Sequence, residues 1–172
     1  MKHTLVAWVE DKPGVLNRVA SLFRRRNFNI ESLTVGHTKA KGISRMTIVV
    51  DTRDRGSHLV VQNLRKLINV LRVQDVTAAP TVVRDLALIK VRTTPDTRGE
   101  IMQLVHIFRA RVVDVAPDSV IVEVTGAEDK IDSLTELLRP FGILEMARTG
   151  RVAMVRGTGS NGHFGEVAEG RG

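Results

Sequence analysis

The residues best suited to bind a ligand form a turn at positions 11–14, Asp-Lys-Pro-Gly, directly before an apolar helical pattern. The start of a helix exposes unpaired backbone N–H groups and a partial positive charge, which suit a carboxylate or a phosphate. Gly14 lets a ligand approach the backbone closely, and Asp11 offers an oxygen to an ammonium group. The turn therefore has the elements for both ends of a free amino acid. The alternative, which is the commoner role, is that Asp11 only caps the helix, with Pro13 in its first turn.

Asn29 is the second candidate ligand-binding residue, and it opens the second predicted strand. A side-chain amide can bind both a carboxylate and an ammonium group. Its place after Phe28 and before Ile30 could bring Asn29 near the first helix. The alternative is a turn asparagine whose side chain satisfies nearby backbone groups.

Patterns typical of catalytic or metal sites are missing from the sequence. There is no cysteine, and the five histidines are scattered without the spacing of metal ligands. No nucleophile-elbow or Walker-type motif is present, and a glycine-rich stretch at 157–162 precedes no helical pattern. We therefore predict no catalytic residue and no metal site.

The chain is basic, with 172 residues, a formal charge of +7 and a pI near 10.5. Such a charge raises the odds of a polyanionic partner, but aromatic residues make up only 3% and tyrosine is absent. Modules that read single-stranded nucleic acid stack bases on aromatic rings, so we expect a solvated basic surface or an acidic protein partner instead. Signal-peptide features are missing and the apolar runs are too short for a bilayer, which favours a cytoplasmic protein without membrane association.

The hydrophobic pattern predicts the order strand, helix, strand, strand, helix, strand, which is then repeated. Two ferredoxin-like βαββαβ domains in tandem account for this order and make the chain an α+β protein. Each would have an antiparallel sheet with both helices on one face. The predicted boundaries are a first domain at 1–78, a linker at 79–83, a second domain at 84–157, and a disordered, glycine-rich tail at 158–172.

Specific segments of the chain resemble a known family. Residues 10–19, EDKPGVLNRV, resemble the start of an ACT domain, a small βαββαβ module that senses ligands. Residues 28–36, FNIESLTVG, together with SRMTI at 44–48, are similar to the small subunit of acetolactate synthase (acetohydroxyacid synthase). Segments of the second half, among them LALIKV at 86–91, are similar to the C-terminal domain of that family. The resemblance covers residues 1 to about 157, with both domains in order.

This resemblance implies a regulatory subunit without catalysis of its own. The expected partner is a large subunit that carries thiamine diphosphate, Mg²⁺ and FAD. That partner condenses pyruvate with pyruvate or 2-oxobutyrate on the route to valine, leucine and isoleucine. The small subunit would raise this activity and confer feedback inhibition, usually by valine. The chain itself is expected to hold no cofactor.

The family also implies a location for the effector. Two ACT domains pair into a continuous sheet in a homodimer, and valine binds at their interface. The positions implied here are Asp11, Gly14, Val15, Leu16, Asn29 and Ile30. Some members carry asparagine where this chain has Asp11, whose charge attracts the ammonium group of the ligand and repels its carboxylate.

Three other functions remain open at this point. The chain could be an ACT-type regulator of another enzyme, although the likeness of the second domain speaks against it. A ferredoxin-like nucleic-acid-binding protein would lose affinity steeply as salt is added. A stand-alone enzyme is disfavoured because no acid, base or metal ligands converge in the pattern.

Overall fold

The computed structural model describes residues 1–52 and 56–158, which form two compact units. The first unit comprises Met1–Val82 together with the end of the described chain from Ala153, and the second comprises Val83–Val152. The predicted disordered tail at 158–172 lies, from residue 159 onward, outside the described residues.

A four-stranded antiparallel sheet and two helices form the first unit. The strands are β1 (Lys2–Glu10), β2 (Asn29–His37), β3 (Ile43–Asp51) and β4 (Val70–Asp75), in the spatial order β2-β3-β1-β4. Helix α1 (Val15–Arg25) connects β1 to β2, and α2 (Ser57–Arg65) connects β3 to β4. Strands β2 and β3 form an antiparallel hairpin, and α2 ends at Arg65.

Both helices pack on the same face of this sheet. The alternate residues Leu5, Ala7 and Val9 of β1 are buried against Val19 and Phe23 of α1. The Phe23 ring also meets the Phe28 ring edge-on, with 6.5 Å between centroids. This burial follows from the two periodicities in the sequence, two residues for the strand and 3.6 for the helix.

The second unit repeats the same arrangement with different residues. Its strands are β5 (Thr81–Arg92), β6 (Arg111–Val115), β7 (Ser119–Gly126) and β8 (Ile143–Arg148), in the order β6-β7-β5-β8. Helices α3 (Arg98–Ile107) and α4 (Glu128–Leu138) bury Ile101, Val105, Ile131, Leu134 and Leu138 against β5 and β7. The predicted α+β class with two ferredoxin-like βαββαβ domains is confirmed.

Two predicted boundaries differ from the structure. The linker predicted at 79–83 is partly strand, because β5 begins at Thr81, where a run of β-branched residues favours extended structure. Strand β8 ends at Arg148, and a short strand, β9 (Val152–Val155), follows and pairs with β5. Ala153 is fully buried, and the residues from there on group with the first unit instead of the predicted second domain at 84–157.

Within the described residues, none of the helices is long and apolar enough to cross a membrane.

Two leucines of α4 provide a matched test of the second core. Leu134 is fully buried and Leu137 is 47% exposed. We expect Leu134→Ala to lower the free energy of unfolding by about 2–5 kcal/mol, because it removes apolar contacts and leaves a cavity. Leu137→Ala should change it by less than about 0.5 kcal/mol. Urea denaturation monitored by circular dichroism measures both, and equal losses would contradict the packing described here.

Candidate functional site

The turn between β1 and α1 is built differently from the sequence-based prediction. Helix α1 begins at Val15, and Gly14 is its N-cap residue in the left-handed conformation, with φ of 82°. No side chain caps the helix. The interpretation that Asp11 caps α1 is therefore wrong, and Pro13 lies before the helix and not in its first turn.

Asp11 is held away from the helix by the β2–β3 hairpin. Its backbone N–H donates to the carbonyl oxygen of Gly42 at 2.8 Å. Its carboxylate lies beside His37, with 3.3 Å between Asp11 Oδ2 and His37 Nδ1. Both side chains are exposed to solvent, so this pair can rearrange around a ligand.

The first turn of α1 is open to an anion. A helix start has N–H groups without intrahelical partners, and here neither a side-chain cap nor an acidic first-turn residue compensates them. A Cβ added to Gly14 would meet no heavy atom within 4 Å, so the space above the turn is free. A carboxylate can therefore approach the backbone of Gly14 and Val15.

The corresponding turn of the second unit is closed. Between β5 and α3, the hydroxyl of Thr97 accepts the Thr94 backbone N–H at 2.9 Å, and the Thr94 hydroxyl accepts the Thr97 N–H at 3.2 Å. Glu100 adds a negative charge in the first turn of α3. Neither helix start has a side-chain cap, so the two differ in Glu100, whose charge repels an anion from α3 and which has no counterpart in the first turn of α1.

A polar network supports the open turn. The Glu10 backbone N–H donates to the Asn69 carbonyl oxygen, and the Asn69 side-chain amide donates to Glu10 Oε2, both at 2.9 Å. The side chain of Arg18 in α1 donates to Asn69 Oδ1. Hydrogen bonds from Lys12 and Asn69 hold the pKa of the Glu10 carboxyl below its usual value. Sequence reasoning missed Asn69, because its contact with Glu10 spans 59 positions and leaves no local pattern.

Val15, Leu16 and Ile30 have different exposures. Val15 is buried in the core, so only its backbone is available to a ligand. Leu16 is 46% exposed and presents an apolar side chain beside the turn. Ile30 is half-buried against the core.

Asn29 lies at the other end of the sheet. The pairing register places Asn29 opposite Asp51, which is in turn opposite Lys2 at the beginning of β1. Glu10 at the other end of β1 is about 26 Å from Lys2, for eight strand steps of 3.3 Å, and Asp11 follows it. Within one chain Asn29 therefore lies far from the turn at 11–14. Asn29 follows the C-terminal end of α1 instead, where its amide donates to Glu31 Oε1 at 2.7 Å.

Among the described residues, no group of three or more histidine, cysteine or acidic side chains is arranged to hold a metal ion.

Family models match both units of the chain. Residues 5–72 match the ACT domain described as AHAS small subunit-like, and residues 84–157 match the small subunit of acetolactate synthase.

Individual relatives extend the match along the chain. The probable acetolactate synthase small subunit of Archaeoglobus fulgidus is 57% identical over 157 residues, which cover 91% of this chain and 98% of that protein. The acetolactate synthase small subunit of Mycolicibacterium smegmatis is 50% identical, and the match covers 90% of this chain and 92% of that one. The crystal structure of the acetolactate synthase small subunit from Thermotoga maritima superposes with a TM-score of 0.84 at 41% identity, covering 91% and 98% of the two chains.

Alanine substitutions of two glycines at helix starts test the left-handed backbone conformation of the open turn. Gly14→Ala should destabilise the protein by about 1–2 kcal/mol, because a Cβ disfavours the left-handed conformation. Gly99, in the first turn of α3, has open space and no positive φ, so Gly99→Ala should stabilise by up to about 1 kcal/mol. Denaturant unfolding of both variants measures this contrast, and stabilisation by Gly14→Ala would refute the assigned turn geometry.

Proposed function

The chain belongs to the family of acetolactate synthase small subunits, and we propose that it activates a large catalytic subunit and makes it sensitive to valine. It would act in the cytoplasm as a regulatory homodimer without catalysis of its own. Thiamine diphosphate, Mg²⁺ and FAD would be carried by the large subunit. The observation that carries the effector proposal is the open turn at Gly14 together with the position of Asn29 on an edge strand.

Pairing of two copies would complete an effector site that one chain leaves divided. Strand β2 is an edge of its sheet, and its nine residues are centred on Leu33. If two β2 strands pair antiparallel about Leu33, Asn29 of one copy lies opposite His37 of the other. Because His37 lies beside Asp11 in each chain, this pairing brings Asn29 of one copy to the Gly14 turn of the other.

The opposite edge of the sheet does not offer the same result. A dimer formed through β4 would leave β2 on the outer edges of the combined sheet. Asn29 of one copy would then be separated from the turn of the other by several strands. The β2 edge is therefore the one that unites the predicted binding residues.

The resulting site matches the chemistry of a branched aliphatic amino acid. Its carboxylate would accept hydrogen bonds from the backbone N–H groups at Gly14 and Val15 and from Asn29 of the other copy. Its ammonium group would lie near Asp11. Its aliphatic side chain would contact the exposed Leu16 of the same copy and the half-buried Ile30 of the other copy. His37, when protonated, would offset the repulsion between the Asp11 carboxylate and that of the ligand.

Regulation would follow from where the effector binds. An amino acid that contacts both copies binds more tightly to one arrangement of the dimer than to another. A ligand shifts such an equilibrium only by its differential affinity for the two states. The net charge of +7 would favour association with an acidic surface of the large subunit.

Asn29→Ala tests the effector site, and Asn63→Ala is its control. Asn63 is an exposed asparagine on α2 whose amide donates to the Leu59 carbonyl oxygen, away from the turn. In the enzyme reconstituted with its large subunit, Asn29→Ala should abolish inhibition by valine but retain activation, whereas Asn63→Ala should retain both. Valine at about 100 times its dissociation constant should stabilise the unsubstituted protein by about 2.7 kcal/mol, and Asn29→Ala should lose this effect. Unchanged inhibition of the Asn29→Ala enzyme by valine would refute the assigned site.

Disulfide cross-linking tests the dimer edge in a chain that has no cysteine of its own. Directly opposed residues of an antiparallel pair have Cα atoms about 4.5–5.5 Å apart, within the range of a disulfide. Leu33→Cys should therefore cross-link two copies on mild oxidation. Leu71→Cys, which is 46% exposed on β4, should remain monomeric in a non-reducing gel. Cross-linking of Leu71→Cys but not of Leu33→Cys would indicate that the dimer forms through the β4 edge.

A further inference from the structure

The open face of the first sheet, opposite α1 and α2, carries a cavity of about 490 Å³. Its walls come from β1, β3, β4, β9 and the β2–β3 hairpin, all within the first unit. Ligand pockets commonly have volumes of about 300–1,000 Å³. The lining includes two arginines, one lysine and one histidine, and it contains no aspartate or glutamate among the described residues.

A row of three side chains crosses the floor of this cavity. Trp8 on β1 is opposite Arg45 on β3 and opposite Arg72 on β4 in the pairing register. The guanidinium carbons lie 5.5 Å (Arg45) and 5.2 Å (Arg72) from the centroid of the indole ring, within the range of cation–π contacts. The indole thus holds two cationic groups at one surface.

The charge of Arg45 has neutral hydrogen-bond partners within the described part of the chain. Its side chain is half-buried, and it donates to the Thr47 hydroxyl at 3.3 Å and to the Ala153 carbonyl oxygen. Both acceptors are neutral, and no carboxylate of the described residues forms an ion pair with Arg45. Burial lowers the pKa of the Arg45 guanidinium, which reflects the cost of removing this charge from water. An anion in the cavity would reduce that cost.

We propose that this cavity is a second ligand site, separate from the valine site, and that it binds a small organic anion. A phosphate or carboxylate group would lie between Arg45 and Arg72, and Lys39 would add positive charge from the hairpin. An apolar part of the ligand would contact Met154 and Val6.

The site is linked to the open turn through His37. This residue lines the cavity and also contacts Asp11 at 3.3 Å. An anion that attracts a protonated His37 toward the cavity would withdraw it from Asp11. Occupancy of the cavity would in this way alter the electrostatics of the valine site.

Trp8 is the single tryptophan of the chain, so its fluorescence reports directly on the cavity. We would titrate the full-length protein at constant ionic strength with inorganic phosphate and with phenyl phosphate, exciting at about 295 nm, where indole absorbs selectively. Both probes should change the Trp8 emission to saturation. Phenyl phosphate should bind at least threefold more tightly, because its ring adds apolar contact.

The variants Arg45→Gln and Arg72→Gln should each lower the affinity for phenyl phosphate at least tenfold. Arg24→Gln removes an equal charge from the last turn of α1 and should bind like the unsubstituted protein. Circular dichroism checks that each variant is folded. If one of the two arginine variants is not folded, the other still tests the site. The proposal is overturned by an emission change that does not saturate, or by equal affinities of all three variants.

A truncated protein shows whether the natural occupant of the cavity is a free anion or a carboxylate of the same chain. Residues 159–172 carry Glu166 and Glu169, and the described chain leads to them from Val155, which lines the cavity. A chain ending at Thr158 should bind phenyl phosphate with the same affinity if the natural occupant is a free anion. Tighter binding by the shortened chain would identify these carboxylates as the competing anion. The titration needs neither valine nor the large subunit, so its outcome is independent of the function proposed above.

Discussion

The antiparallel register of the first sheet is the constraint on which the remaining features depend. Strand β1 runs from Lys2 to Glu10, and β2, on the far side of β3, begins at the end of the sheet where β1 begins. The Gly14 turn and Asn29 are therefore at opposite ends of one sheet. Residues that are 15 positions apart in sequence can share a ligand only if a second chain supplies one of them. In the proposed dimer, ligand binding would therefore be coupled to subunit association.

The two units show how one topology can serve different purposes. In the second unit Thr94 and Thr97 hydrogen-bond to each other before α3 and Glu100 lies in its first turn, whereas the first turn of α1 has no acidic residue. The second unit instead places its polar interactions in structural ion pairs. Arg148 on β8 contacts the nearly buried Asp85 at 2.9 Å and Asp132 of α4 at 2.6 Å, which connects the sheet to that helix.

Much of this protein was determined by its sequence. Alternating and helical apolar patterns predicted both βαββαβ units, because the pleat of a strand and the pitch of a helix select which side chains are buried. Asn27, whose residue type tolerates the left-handed conformation, has φ of 56° after the end of α1. Local residue types identified the turn at 11–14 as the place where a ligand could meet the backbone, and the segments around it identified the family.

The tertiary structure alone decided how those parts meet. Asp11 is directed to His37 and Gly42 instead of capping α1, because the β2–β3 hairpin competes for it across about 30 positions of sequence. The Glu10–Asn69 network, the row of Arg45, Trp8 and Arg72, and the separate strand β9 all come from residues far apart in the chain. A local pattern records the secondary structure of each segment and which of its faces is apolar. The partner of a polar side chain depends on strand order and register, and these are set only when the whole sheet packs.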